Sequence, residues 1–151
     1  MLKSVQRKPS LSAKGANFLI VASRYNAQYV DSMLDAAKLT LERAGAARVE
    51  VLRVPGAYEI PTAAACAARH AKGKLSAIIC LGVILRGATT HAQHIGEAVT
   101  NALSAAAIQF EVPMIHEVLL FENEKQAVER CLDPKRNRGI EAAQKIGRAH
   151  V

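Results

Sequence analysis

Ala77-Ile78-Ile79-Cys80-Leu81-Gly82-Val83-Ile84-Leu85, followed by Arg86-Gly87-Ala88-Thr89-Thr90-His91, is the stretch whose reading decides the fold. Its first nine residues are the most apolar run of the chain, which predicts the central strand of a sheet buried on both faces. The polar loop after it leads into a helix expected from about His91 to Phe110. Toward the N-terminus, Phe18-Leu19-Ile20-Val21-Ala22 is a second short apolar run, stopped by Ser23 and Arg24. Asn26 then suits a helix cap, and Val30, Leu34, Ala37, Leu41 and Ala44 recur at three- and four-residue steps until Gly45 stops the helix. Val49-Glu50-Val51-Leu52-Arg53-Val54 alternates and ends at Pro55-Gly56, the pattern of a strand and its exit turn. Pro61 opens an alanine-rich helix, where its missing N–H costs nothing, and Gly73 closes it. Toward the C-terminus, residues 113–120 predict a fourth strand, with helices near residues 124–131 and from Gly139 onward. Strands alternating with helices imply right-handed βαβ units. The expected fold is α/β, a three-layer αβα sandwich with an open four-stranded parallel sheet and helices on both faces.

Length and composition bound the function. A chain of 151 residues, half of them hydrophobic, suits one domain with an aliphatic core, expected over residues 16–151. Residues 1–15 show no periodicity and read as a flexible arm that could add a strand to a neighbouring subunit's sheet edge. The arm carries Lys3, Arg7, Lys8 and Lys14, and no acid precedes Asp31, a composition shared with transit peptides. No continuous apolar region follows these cations, so the reading is cytoplasmic. No apolar run approaches the roughly 18 to 20 residues that cross a bilayer, so no membrane partner is expected. Cys66, Cys80 and Cys131 form neither an even set nor a CxxC pair and read as buried reduced thiols. A net charge of +7 lacks the arginine-rich runs and interleaved aromatics of nucleic-acid binders, so nucleic acid is not an expected partner.

Ligands of open parallel sheets bind beyond the carboxyl ends of the strands, which directs attention to three strand-to-helix peptides. They are Ser23-Arg24-Tyr25-Asn26, Val54-Pro55-Gly56-Ala57-Tyr58-Glu59-Ile60-Pro61 and Arg86-Gly87-Ala88-Thr89-Thr90-His91. In the last, a glycine and small hydroxyl residues precede the first turn of a helix, where unpaired amides and the helix dipole suit a phosphate. Thr at such a place also serves as a plain cap. His91 at the helix start is suited to take and return a proton. His94 and His116 raise the question of a metal, but no Cys, Asp or Glu completes a ligand set with them, and no metal is expected. Glycine-rich dinucleotide, Walker and Gly-x-Ser-x-Gly motifs are absent from the sequence. One proton-transfer group and one anion site point to a condensation or isomerisation that uses no cofactor. Read singly, Tyr25 suits a core, Glu59 a helix-start carboxylate and Arg130 a solvated helix charge.

Taken together and in order, these peptides resemble the lumazine synthases. That family shows Ser-Arg-aromatic-Asn, Val-Pro-Gly-Ala-aromatic-Glu-Ile-Pro, Gly-x-Val-Ile-Arg-Gly-x-Thr-x-His, a Glu-Gln-Ala-x-x-Arg helix and an Asn-Lys-Gly turn. The chain carries the first two complete. It also carries Gly82 to His91 in the third pattern, Lys125-Gln126-Ala127-Val128-Glu129-Arg130, and Asn137-Arg138-Gly139. The resemblance spans Ala16 to the final helix. It implies a flavodoxin-like fold and the condensation of 5-amino-6-ribitylaminouracil with 3,4-dihydroxy-2-butanone 4-phosphate to 6,7-dimethyl-8-ribityllumazine. It also implies that Tyr25 packs on the pyrimidine, with Asn26 beside it, and that Ala57, Tyr58 and Glu59 hold the ribityl chain and ring edge. Val83, Ile84 and Leu85 would lie along the heterocycle. Gly87, Ala88 and Thr89 would bind phosphate with Arg130, and His91 would move protons. His116, Arg130 and Arg138 would reach the next protomer's pocket in a homo-oligomer built from pentamers. Departures from the family pattern are His116 for the usual Phe, Leu85 for Ile, Arg138 for Lys, and Ala92-Gln93-His94 after the catalytic His. His116 also keeps alive a shell that binds flavin or lumazine without catalysis.

Overall fold

A computed structural model of the chain describes residues 4, 5 and 11–149. Four strands, β1 (Asn17–Ser23), β2 (Arg48–Val54), β3 (Ala77–Leu85) and β4 (Met114–Phe121), form one parallel sheet in the order β2-β1-β3-β4. Helices α1 (Ala27–Arg43), α2 (Ile60–Ala71), α3 (His91–Phe110), α4 (Glu124–Ala127) and α5 (Arg138–Ala149) connect and follow them. The expected open parallel sheet of the α/β class is present, with α1 and α5 on one face and α2 and α3 on the other.

Strand period places the side chains. Phe18, Ile20 and Ala22 of β1 join Ala77, Ile79, Leu81 and Val83 of β3 beneath α1 and α5, while Leu19, Val21, Ile78, Cys80 and Ile84 lie beneath α2 and α3. Val30, Met33, Ala37 and Leu41 of α1 are fully buried, and each large aliphatic side chain so buried contributes about 1.5–3 kcal/mol. Gly82 lets the layers close. A Cβ there would stand 3.0 Å from Ile60 Cδ1 and 3.1 Å from Val118 Cγ1.

Three local expectations change. Asn26 stands before α1 but does not cap it; its backbone is left-handed, φ 57 and ψ 41, and its side chain turns to β3. The predicted helix over 124–131 is one α turn continued as a π-helical turn, Val128–Leu132. Cys66 is exposed on α2, because it falls on that helix's outer face, while Cys80 and Cys131 are buried. Burial pushes the Cys80 thiol up to about 12.

The arm expectation falls largely on residues 1–3 and 6–10, outside the described residues. Nearer the domain, Ala13 is buried, its N–H donates to Ala44 O at 2.9 Å, and Lys14 bridges antiparallel to Ala46. Most of β2 is exposed, including Val51 and Leu52, as befits an edge strand.

Candidate active site

The strand order reverses between β1 and β3, and a cavity of about 550 Å³ opens there at the carboxyl ends. Each expected peptide supplies a wall. From the loop after β1 come Tyr25 and Asn26, from the turn after β2 come Ala57, Tyr58 and Glu59, and from the end of β3 come Val83, Ile84 and Leu85. Gly87, Thr89 and His91 complete the rim.

Asn26 fixes the first wall. Its Nδ2 donates to Val83 O at 2.8 Å, tying the α1 start to the end of β3. A left-handed non-glycine residue costs on the order of 1–3 kcal/mol and persists only where its surroundings hold it, as this bond does. The chain reversal leaves Tyr25 73% exposed at the cavity mouth. Across it, a 3-10 turn (Ala57–Glu59) leaves Tyr58 65% exposed. Glu59 Oε2 accepts the Gly56 N–H at 3.0 Å. Glu59 thus has the local backbone role of a turn-start carboxylate, and its position on the cavity wall adds a second.

The loop of residues 86–90 is exposed and enters α3, a 20-residue helix. No side chain caps it at Thr90; the His91 N–H lies 3.4 Å from Thr89 Oγ1. That contact occupies the His91 amide, and the dipole of the helix start still favours an anion beside the loop. Arg86, at the start of the loop, pairs with Glu122, Nη1 to Oε1 at 3.1 Å. Gly56, Ala92 and Ile95 also line the cavity and were not expected. Ile95 stands one helical turn beyond His91, so the four-residue spacing was the signal for it.

Ala88, His116, Arg130 and Arg138 do not line this cavity. His116 pairs in register with Cys80, five residues back from the Leu85–Phe121 pair that ends the sheet. At about 3.3 Å per residue it lies too far down β4 to reach its own chain's pocket. Its Nε2 is 2.8 Å from Thr100 Oγ1 of α3, and its Nδ1 accepts the Val118 N–H at 3.1 Å. Burial lowers the His116 pKa; the Glu117 charge raises it and Lys145 lowers it, both less than burial does.

Arg130 sits on the π-helical turn, a departure from α geometry that is frequent at functional sites, and has no ion-pair partner among the described residues. Arg138 opens α5 and meets Glu117 Oε2 through Nε at 3.2 Å and Glu141 Oε2 through Nη1 at 2.8 Å. Glu117 is fully buried and also receives Lys145 Nζ. Removing one member of such a pair typically costs about 3–5 kcal/mol, since the other charge is left buried. Glu117 escaped sequence reading; its signal was a lone carboxylate in an apolar strand. Asn137 also escaped as a structural residue. Its Nδ2 donates to Cys131 O at 2.8 Å and its Oδ1 accepts the Gly139 N–H at 2.8 Å, bolting the π turn to the α5 start. Burial pushes the Cys131 thiol up to about 12; the charge of Glu117 adds to this, and those of Arg138 and Arg130 oppose it. Among the described residues no group of three or more His, Cys, Asp or Glu side chains converges as a metal site, and no helix is long and apolar enough to cross a membrane.

A cavity at the switch point of a parallel sheet, flanked by two tyrosines and carrying an imidazole at a helix start, defines the class: an α/β enzyme for small organic substrates. The profile of the 6,7-dimethyl-8-ribityllumazine synthase family matches residues 15–149. A 6,7-dimethyl-8-ribityllumazine synthase of Chlorobium phaeobacteroides is 40% identical over 143 residues, 93% of this chain and 91% of that protein. The chain belongs to the lumazine synthase family.

Proposed function

We propose that the chain condenses 5-amino-6-ribitylaminouracil with 3,4-dihydroxy-2-butanone 4-phosphate to 6,7-dimethyl-8-ribityllumazine, releasing phosphate and water, as a cytoplasmic step of riboflavin biosynthesis. The supporting observation is one cavity that gathers Tyr25, residues 57–59, residues 83–85 and His91 beside the exposed 87–89 loop. Tyr25 and Tyr58 offer flat faces to a heterocycle, and Glu59 offers oxygens to ribityl hydroxyls. The loop of residues 87–89 and the α3 amides hold the phosphate until it leaves. Joining an amine to a ketone sheds water and moves protons, the task assigned to His91.

One protomer supplies half of this site. The cavity is open, its two tyrosines stand largely in solvent, and a second hollow bounded by Tyr58, His91, His94, Ile95 and Ala98 continues it along α3. His116, Arg130 and Arg138 belong to the β4 side and would complete a neighbour's pocket in a pentamer-based assembly, with residues 16–151 as the repeating domain.

Appearance of lumazine fluorescence when both substrates are mixed with the protein tests the reading. Turnover supports it. Tight binding of lumazine or flavin by a folded assembly that produces no lumazine would replace it with the non-catalytic shell.

A further inference from the structure

Glu117 is a carboxylate with no place in the chemistry above, yet it is wholly buried in a strand whose other residues, His116 apart, are apolar. Burying a charge is costly unless it is paired. Here it is paired twice. Lys145 of α5 meets Oε1, and Arg138 presents Nε to Oε2 at 3.2 Å. On its other side Arg138 gives Nη1 to Glu141 at 2.8 Å, and Glu141 lies 3.7 Å from Lys145. Two carboxylates thus hold two of the three nitrogens of one guanidinium, which restricts the rotation of its plane. The Nη2 amino group takes no part in these pairs, and the Arg138 side chain is 23% exposed. The same cluster adjoins the turn that bears Arg130, whose charge reaches Cys131 together with those of Arg138 and Glu117.

We infer that Glu117 is a positioning residue: from inside the sheet it fixes the Arg138 guanidinium so that its Nη2 amino group is offered, preset, to the substrate pocket of the adjoining protomer. This rests on the reading of Arg138 as a substrate-binding group. Lys145 balances the second oxygen, so that the carboxylate stays in place whether or not substrate is bound. A long cationic side chain loses much rotamer freedom when it is ordered, and prior fixing moves that loss from binding to folding.

Steady-state rates of the assembled enzyme, with each substrate varied in turn, test the inference. Arg138→Ala first shows which KM the guanidinium governs. Glu117→Gln should raise that same KM about tenfold, less than the roughly hundredfold that an ångström of misplacement can cost. It should leave kcat and the other KM within about threefold, and add nothing when combined with Arg138→Ala, because both changes remove one interaction. Should the stranded Lys145 prevent assembly, the charge-balanced combination Glu117→Gln with Lys145→Met should show the same selective rise. If Arg138→Ala raises a KM that an assembled Glu117 variant leaves unchanged, or if the Glu117 variants depress kcat and both affinities alike, the positioning role is overturned while the reading of Arg138 stands. If Arg138→Ala moves neither KM, that reading falls and takes the inference with it.

Discussion

His91 stands exposed at the cavity rim, and among the described residues no hydrogen bond holds its ring. The ring can therefore meet a substrate without first breaking an internal contact. General acid–base assistance typically contributes about 10² to 10⁴-fold. The lower end is expected for His91→Ala, because two reactants held side by side already gain much of the rate and water can carry the proton. Turnover of a folded, assembled His91→Ala enzyme equal to the parent's would remove His91 from the mechanism. His116 makes a different prediction. The Thr100 hydroxyl spends its proton on Gly96 O at 2.8 Å, so His116 Nε2 must donate to it, while Nδ1 accepts from Val118. The ring is thus held neutral, and its pKa lies below the ordinary 6.5. A histidine depressed in the folded state binds fewer protons than in the unfolded chain, so stability rises with pH across that interval. The contribution is whole above about pH 6.5 and is lost as pH falls through the depressed value. His116→Phe should flatten that part of a plot of Tm against pH, and an unchanged slope would refute the assignment. That Tyr25, Glu59 and His91 meet at one cavity was legible, because strand-end loops converge at the carboxyl edge of such sheets. Glu117 was not, since its partners Arg138 and Lys145 lie 21 and 28 residues away on a helix whose packing over β4 no local pattern announces.

At the scale of elements, periodicity and end signals located all four strands and the long helices to within a residue or two. They failed where side chains bond across elements. Asn26 has the residue type of a cap, but its amide goes to Val83 O, a partner 57 residues away that no local pattern announces. The 124–132 segment begins with an ordinary cap, Asn123 Oδ1 accepting the Gln126 N–H at 3.0 Å, and then widens into its π turn. There Asn137 holds Cys131 O from outside. The Asn137-Arg138-Gly139 peptide shows the same division. Asn137 is its bolt and Arg138 its charge. Gly139 allows contact, since a Cβ there would lie 2.0 Å from the backbone oxygen of Met33. Backbone cannot step aside as a side-chain tip can, so Gly139→Ala should push α5 off α1. Overpacking typically costs about 1–3 kcal/mol, and the upper end or beyond is expected here. Urea unfolding would show it as a lower midpoint with an unchanged slope. A variant as stable as the parent would mean that α5 can shift at little cost.

At the scale of the whole molecule, the cavity of one chain gathers some of the expected site residues and leaves others outside it. His91 lies at the carboxyl edge of the sheet, whereas Arg130 belongs to the turn after β4 and does not line the same cavity. No sequence pattern distinguishes a side chain aimed at its own pocket from one aimed at a neighbour's, which is why the resemblance alone assigned both to one site. If each pocket draws His91 from one protomer and Arg130 from the next, the two can be lost separately and restored together. In a ring of head-to-tail contacts, chains carrying His91→Ala and chains carrying Arg130→Ala form some interfaces that bring an intact His91 to an intact Arg130. Random mixing makes about a quarter of the pockets whole. Loss of a charge-assisted contact to phosphate is worth roughly 1.5 to 3 kcal/mol, so the Arg130 variant alone should be weak at low butanone phosphate, as the His91 variant is at any concentration. Co-expressed and co-assembled, the pair should recover about a quarter of the parent activity at low substrate, well above the mean of the two separate variants. Activity equal to that mean, in particles shown to contain both chains, would place His91 and Arg130 in the same protomer's site or in no common site.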